Sequence, residues 1–397
     1  MKVLHVITGL GVGGAELQLR ALLAHTRHDA EVVTLYNPGA VAEMIVADGG
    51  RVRDLGMTRN TEISALFRLA GLMRRGRYDV VHTHLYRSCV YGRLAARLAG
   101  VPVVVTTEHS IGETHLERRR MTAGVRALYL GTDVCSDATI AVSPAVRERL
   151  VRWGVPSHKI EVIPNGLDLG RVADDPIAGG ALRADLGLPL DAQVVGVLGR
   201  LDPNKRFDLV IEAAAPLLGP GRRLLIVGDG QERAHLEDVA ARTGAAEWTV
   251  FAGERHDVAA VLSALDLFIA SSAQETFGLS VLEALTNGVP ALYTTCPALD
   301  GIATDRARQV PGEVAGMRAA IQAELEAERP RRSEPAVLEH YGMARVTERV
   351  DALYDRLAAA RATGHPAARR RAPRPRAPLS DATPASVSLR GPTEGIR

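Results

Sequence analysis

Short apolar runs alternate with stretches of helical period from residue 3 to residue 163, and again from residue 194 to residue 286. No other feature limits the fold as much. In the first series, residues 3–8, 31–35, 52–55, 78–84, 101–107, 139–142 and 160–163 read as strands. Between them, residues 16–24, 62–74, 89–99, 119–130 and Pro144–Trp153 read as helices, the last capped by Ser143. Strands that regularly take turns with helices specify βαβ units and a parallel, doubly wound sheet.

A second series restarts at residues 194–198 and runs through helix 207–215, strand 223–227, helix 232–242, strand 249–252 and helix 258–264. It continues with strand 265–270 and helix 279–286. Between the two series, residues 170–190 lose periodicity, with Asp174-Asp175-Pro176 and Gly179-Gly180, and an interdomain linker is placed there. At 397 residues the chain is too long for one ordinary domain. The expected organisation is a Rossmann-like domain over 1–170, a linker over 171–190 and a second Rossmann-like domain over 191–340. Residues 313–325 and 344–360 read as further helices. A helix over 341–361 and an Arg/Pro-rich, disordered tail over 362–397 complete it.

The stretch Ser271–Pro290 is the least generic. It leaves a buried strand, passes Glu275, Thr276, Phe277 and Gly278, and enters a helix closed by Asn287-Gly288 and Pro290. That places two carboxylates, Glu275 and Glu283, around a helix start at a strand's carboxyl end, the crevice in which open α/β sheets bind ligands. Backbone N–H groups there favour an anion such as a diphosphate, and Glu283, one turn in, can accept two vicinal ribose hydroxyls. The second domain's first loop, Gly199–Arg206, carries Arg200 and Lys205. Lysine occurs only at positions 2, 159 and 205, the other 45 of 48 basic residues being Arg. A lysine retained in such a chain, at the end of a strand, suits the charge that develops on a leaving diphosphate.

The first loop, Gly9–Glu16, reads G-x-G-x-x-G after a strand and before a helix. A nicotinamide site also needs an acid at the end of the second strand, where Tyr36-Asn37-Pro38 stands instead. His82, His84, Glu108, His109 and His115 admit three readings: a metal site, core packing, or substrate contacts from His84 and His109. Gly228-Asp229-Gly230 is a lone turn. Neither a nucleophile elbow nor a Walker A loop occurs. The three cysteines match no zinc or disulfide spacing, and the net charge of +2 argues against nucleic acid as a partner. With no signal peptide and no long apolar run, a cytoplasmic protein is expected. Arg118-Arg119-Arg120 with Arg126, and Arg369-Arg370-Arg371, offer at most weak peripheral contact with anionic lipid at the inner face of the membrane.

Taken in order, these segments resemble the retaining glycosyltransferases of family 4, with the two-Rossmann GT-B fold. The carriers are Gly13-Gly14-Ala15-Glu16, Val81–His84, Glu108-His109, Val142-Ser143, Ile163–Asp168, Gly199-Arg200 with Lys205, Val227–Gly230, and Glu275-x7-Glu283 followed by Asn287–Pro290. They span residues 1–360, and the composition is actinobacterial-like. The resemblance implies that Arg200 and Lys205 bind the donor diphosphate and Glu283 its ribose. Glu275 and the backbone of Phe277, Gly278 and Leu279 would hold the donor sugar. His109 would lie near the anomeric centre, Gly13 and Gly14 by the phosphates or acceptor, and His84 on the acceptor side. His109, Arg200, Lys205 and Glu275 are thus the expected catalytic set, with no metal and no cofactor beyond a nucleotide-diphosphate sugar, most simply a UDP-hexose. After Pro290 the family has a strand and a Gly-Gly turn where this chain has Ala291–Gly301, so sugar identity does not carry over. The acceptor class stays open among sugars, lipid-linked glycans and small molecules. An NAD-dependent nucleotide-sugar epimerase or dehydrogenase and a non-catalytic nucleotide-sugar binder remain alternatives.

Overall fold

A computed structural model describes residues 1–363, apart from residues 60, 113, 114, 117, 118 and 328. The side chain of His115 and the tail from residue 364 lie outside what is described. The first series builds β1 (Lys2–Ile7), β2 (Asp29–Thr34), β3 (Arg51–Asp54), β4 (Val80–His84) and β5 (Val103–Glu108). A hairpin of β6 (His115–Leu116) and β7 (Arg119–Arg120) follows, then β8 (Ala138–Ala141) and β9 (Ile160–Val162). All but the hairpin form one parallel sheet in the order β3-β2-β1-β4-β5-β8-β9. The second series builds β10 (Gln193–Leu198), β11 (Arg222–Val227), β12 (Thr249–Gly253), β13 (Leu267–Ala270), β14 (Ala291–Tyr293) and β15 (Ala307–Gln309). They too are parallel, in the order β12-β11-β10-β13-β14-β15.

Both orders run outward from the first strand of the series and then jump to its other side. The switch points therefore lie between β1 and β4 and between β10 and β13. Ligand crevices open beyond the carboxyl ends of those pairs, where the loops after residues 8, 84, 198 and 270 emerge.

Period-two alternation explains why β1 is covered on both faces. Val3 and Ile7 pack with Leu19 and Leu22 of the helix Gly14–His25. Leu4 and Val6 pack with Leu69 and Met73 of the helix Ile63–Gly76. The last helix, Met343–Ala362, returns to the first sheet and buries Val346, Val350, Leu353 and Tyr354 against it. Where the chain passes between the halves, Leu167 N–H donates to Tyr341 O at 2.7 Å and Met343 N–H to Leu167 O at 3.0 Å. A side chain at Gly166 would meet Met343 Sδ at 2.3 Å.

Three local expectations change. Residues 170–190 are not irregular: Leu169–Val172 and Pro176–Asp185 are helical. Asp175 caps the second helix through Ala178 N, with Pro176 at its first position. The Gly179 that dilutes its periodicity is there because a Cβ would meet Ser263 C at 2.7 Å. The helix expected over 119–130 begins at Ala123, after Thr122 caps it, and the one expected from 89 begins at Tyr86. Among the described residues, no helix is long and apolar enough to cross a membrane.

The Gly228-Asp229-Gly230 turn has a packing reason. Gly228 has φ +132°, and a Cβ there would meet Gly199 O at 2.0 Å. The two loops are also bonded, Leu201 N–H donating to Asp229 O at 3.0 Å. Gly228→Ala should destabilise the protein by about 1–3 kcal/mol, the usual range for forced overpacking. The check is the midpoint of urea unfolding, and an unchanged midpoint would show that the loops separate without cost.

Candidate active site at the cleft

The loop after β10 and the loop after β13 are stitched together. Asn204 Nδ2 donates to Gln274 O at 2.9 Å, and Gln274 N–H returns to Asn204 Oδ1 at 3.1 Å. Ser271 Oγ donates to Lys205 O at 2.6 Å. This seating delivers Lys205 Nζ to Glu275 Oε1 at 2.7 Å, and Ser272 Oγ donates to the same oxygen at 2.8 Å. The cation and carboxylate singled out on separate loops thus form one partly buried pair. Arg200 is exposed on the first of these loops.

The segment after Glu275 docks on the first sheet's loops. Thr276 Oγ1 donates to His109 O at 2.8 Å, and Ser143 Oγ donates to Thr276 O at 2.6 Å. Ser143 also accepts from Val146 N at 3.2 Å, so one hydroxyl caps a helix and joins the halves. Phe277 is buried, its ring edge-on to Tyr341 at 5.4 Å. Gly278 has φ +97°, and a Cβ there would strike Cys296 Sγ at 2.5 Å, so only glycine can start the Leu279–Asn287 helix here. The divergent 291–301 segment supplies that wall: after β14 it turns through Pro297–Leu299, and Ala298 N–H donates to Phe277 O at 2.9 Å.

Glu283 opens onto a cavity of about 380 Å³ walled by Leu17, Gln18 and Arg20 from the first domain, with Asp168 and Arg171 from the crossing. Its side chain is only 12% exposed, and Arg171 Nη1 stands 4.0 Å away. Burial pushes its pKa up to about 7, against the pull of Arg171. Glu275 does not line this cavity. Gly13 caps the Gly14–His25 helix in an extended conformation, and a side chain at Gly14 would meet nothing.

His84 and His109 face a smaller cavity of about 40 Å³, which they share with His82, Asn165 and Gln18. His84 is buried and both its ring nitrogens are engaged, Nε2 with His5 Nδ1 at 3.1 Å and Nδ1 with His109 Nε2 at 3.3 Å. His109 is held at a pKa of about 4 by burial. Its Nδ1 is buried without a well-formed hydrogen bond, although the Asn165 carboxamide is near enough to favour the protonated ring.

On the metal reading, His5, His82 and His84 offer ligand atoms within 4.8 Å of one another. Both nitrogens of His82 are already committed, Nδ1 to Tyr354 OH at 2.5 Å and Nε2 to Thr107 Oγ1 at 2.6 Å. His5 and His84 are likewise hydrogen-bonded, to each other and, from His84, to His109.

Several participants carry no signal in the residue pattern. Gln18 walls both cavities and bonds Gly166 twice, to O at 2.7 Å and from N at 2.8 Å. Arg171 falls in the stretch read as linker. His5 is brought beside His82 by the β1–β4 register, which pairs the two residues. At the end of β2, where a dinucleotide site would keep its acid, Arg87 lies 4.8 Å over the ring of Tyr36.

Residues 12–171 match the family described as Glycosyltransferase Family 4, and residues 180–326 the one described as Glycosyl transferases group 1. The chain is 31% identical over 239 residues to the UDP-Gal:alpha-D-GlcNAc-diphosphoundecaprenol alpha-1,3-galactosyltransferase of Escherichia coli, covering 59% of this chain and 62% of that one, less than two thirds of it. It is also 31% identical over 294 residues to a GDP-mannose-dependent alpha-mannosyltransferase of Mycobacterium tuberculosis, covering 71% of this chain and 74% of that one. Among solved structures, Anabaena HepE in complex with UDP and glucose superposes with a TM-score of 0.79 at 21% identity. That match covers 89% of this chain and 99% of HepE. The sucrose-phosphate synthase of Thermosynechococcus elongatus superposes with a TM-score of 0.75, also at 21% identity, over 91% of this chain and all of that one.

Proposed function

The chain belongs to glycosyltransferase family 4 and has the GT-B fold, and on that footing we propose that it uses a nucleotide-sugar donor and transfers a hexose from a UDP-sugar to an acceptor hydroxyl with retention of configuration. The Lys205–Glu275 pair at the second sheet's switch point carries the reading. Lys205 and Arg200 receive the diphosphate, and Glu275, braced by Ser272, meets the sugar hydroxyls. The backbone of Phe277, Gly278 and Leu279 lies along the sugar, and Glu283 accepts the ribose hydroxyls in the larger cavity. Gly13 and Gly14 close over the phosphates, and His109 faces the anomeric carbon, with His84 behind it on the acceptor side.

In the reaction the bond from C1 to the diphosphate oxygen breaks and the acceptor oxygen bonds C1 from the same face. The acceptor's proton passes to the departing phosphate oxygen. Cations fixed before the step stabilise the charge that collects on the leaving group, and the site needs no enzymic nucleophile. Uridine is favoured by the UDP-bound HepE and by the UDP-Gal donor in the galactosyltransferase's name. The acceptor is a sugar, lipid-linked glycan or small molecule. A cytoplasmic site of action, with weak contact at the membrane's inner face, is part of the same proposal.

A thermal-shift screen of UDP-, GDP- and ADP-sugars and NAD(P) tests the donor. A ligand at about 100 times its dissociation constant adds roughly 2.7 kcal/mol of stability. Stabilisation by UDP-sugars, absent in Glu283→Ala, followed by UDP release with an acceptor panel, is the expected result. Stabilisation by NAD(P) alone, or by none of these, overturns the donor site. Binding without transfer to any acceptor leaves a nucleotide-sugar binder instead.

A further inference from the structure

Four imidazoles lie together beneath the smaller cavity. β1 and β4 pair His5 with His82 and Ile7 with His84, so His5, His82 and His84 point to one face of the sheet. His109, just after β5, completes the row. His5, His84 and His109 are linked in series at 3.1 and 3.3 Å. The His82 ring, clamped by Tyr354 and Thr107, lies 4.1 Å from the His84 ring and fixes its plane.

A neutral imidazole has one N–H donor and one acceptor nitrogen. Burial keeps this row neutral, with His5 lowered to about 3 and His82 and His84 well below the usual value. The two links then admit only two arrangements. In one, His5 Nδ1–H donates to His84 Nε2 and His84 Nδ1–H donates to His109 Nε2, which leaves the proton of His109 on Nδ1. In the other every proton is on Nε2 and both bonds run the opposite way. A mixed arrangement would set two donors or two lone pairs against each other in a buried site.

We propose that His5 and His84 are positioning residues that act through His109: their relay fixes which nitrogen of His109 carries the proton, and so whether Nδ1 meets the bound sugar as donor or acceptor. In the first arrangement His109 offers Nδ1–H as a donor, and in the second it offers the Nδ1 lone pair as an acceptor. His84 thereby serves the site from behind His109. This rests on the reading that His109 faces the donor sugar.

The test is long-range ¹H–¹⁵N correlation of the histidines in the full-length protein, whose nitrogen shifts distinguish the tautomers. His84 and His109 should carry the proton on the same nitrogen, Nδ1 in both or Nε2 in both. In His5→Phe, which keeps the ring and removes the link, His109 should become a tautomeric mixture. Its kcat should fall about tenfold while the donor KM moves less than twofold. His5→Asn, which can restore a group near the Nδ1 position, should recover both. Opposite tautomers on His84 and His109 in the wild-type protein overturn the proposal without any variant. An unchanged His109 tautomer or an unchanged kcat in His5→Phe overturns it as well. His109→Ala separates the two readings. Full turnover in that variant removes His109 from the sugar, whereas the spectra report on the relay either way.

Discussion

Lys205→Ala should lower kcat by about 10²–10³-fold, the scale seen when one fixed electrostatic contact to a developing charge is removed. The donor KM should change far less, because much of the ground-state binding comes from other parts of the nucleotide. Stability should hardly move. The Lys205–Glu275 pair is partly exposed, with side chains 25% and 17% accessible, and such pairs contribute at most about 1 kcal/mol. Lys205→Arg should recover only part of the rate, since a planar fork does not reproduce a compact ammonium seated against Glu275 and the wall of Ser272. Initial rates of nucleotide release, with the melting temperature recorded beside them, decide the matter. Unimpaired turnover in Lys205→Ala would place the diphosphate elsewhere.

Glu283→Gln should pull stability and function in opposite directions. The ordinary pKa of 4.5 rises to about 7 in the folded protein through burial. Between those pH values the folded state keeps a proton that the unfolded chain has released. The group's contribution to stability is therefore fully present below about 4.5, is lost as pH rises to about 7, and is constant above that. Glutamine never ionises, so at pH 8 the variant should be the more stable by up to about 3 kcal/mol. Donor affinity should fall about 10- to 100-fold at the same pH, because a neutral amide replaces a carboxylate accepting hydroxyl hydrogen bonds. In the wild-type protein, donor binding should weaken as pH drops through about 7. Paired melting curves and donor titrations at pH 5 and pH 8 check both halves. A variant that is less stable at pH 8 would contradict the burial argument.

Much of this was legible in the residue pattern. Alternation of period two with period 3.6 is a local property, and it specified both parallel sheets and the strand ends at which function collects. The scarcity of lysine singles out Lys205 in the sequence, and the fold seats it against Glu275. What stayed hidden depends on neighbours distant in sequence. Nothing around His5 reports that it will lie beside His82, because strand order and register are tertiary facts. The Pro176–Asp185 helix had its cap and its proline, but Gly179 blurred the pattern for a reason located at Ser263. Glu275 and Glu283 flank a helix start, as their spacing implies, but that spacing does not tell that Glu283 looks into a cavity Glu275 does not line. Arg171, set among residues read as a connector, became visible as the partner of Glu283 only once the chain was folded.

The two passages of the chain between the halves have a mechanical meaning. Separate straps would permit the halves to shear as well as to swing. Here the outgoing passage at Leu167 and the returning one at Tyr341–Met343 are bonded to each other, with Gly166 flush against Met343. Two tethers joined at one place act as a single pivot, and the relative freedom of the halves reduces to rotation about it. That rotation is opposed close to the pivot, where Phe277 packs edge-on to Tyr341 and the adjoining Thr276 bonds Ser143 and His109 O, within an apolar cluster that runs through both halves.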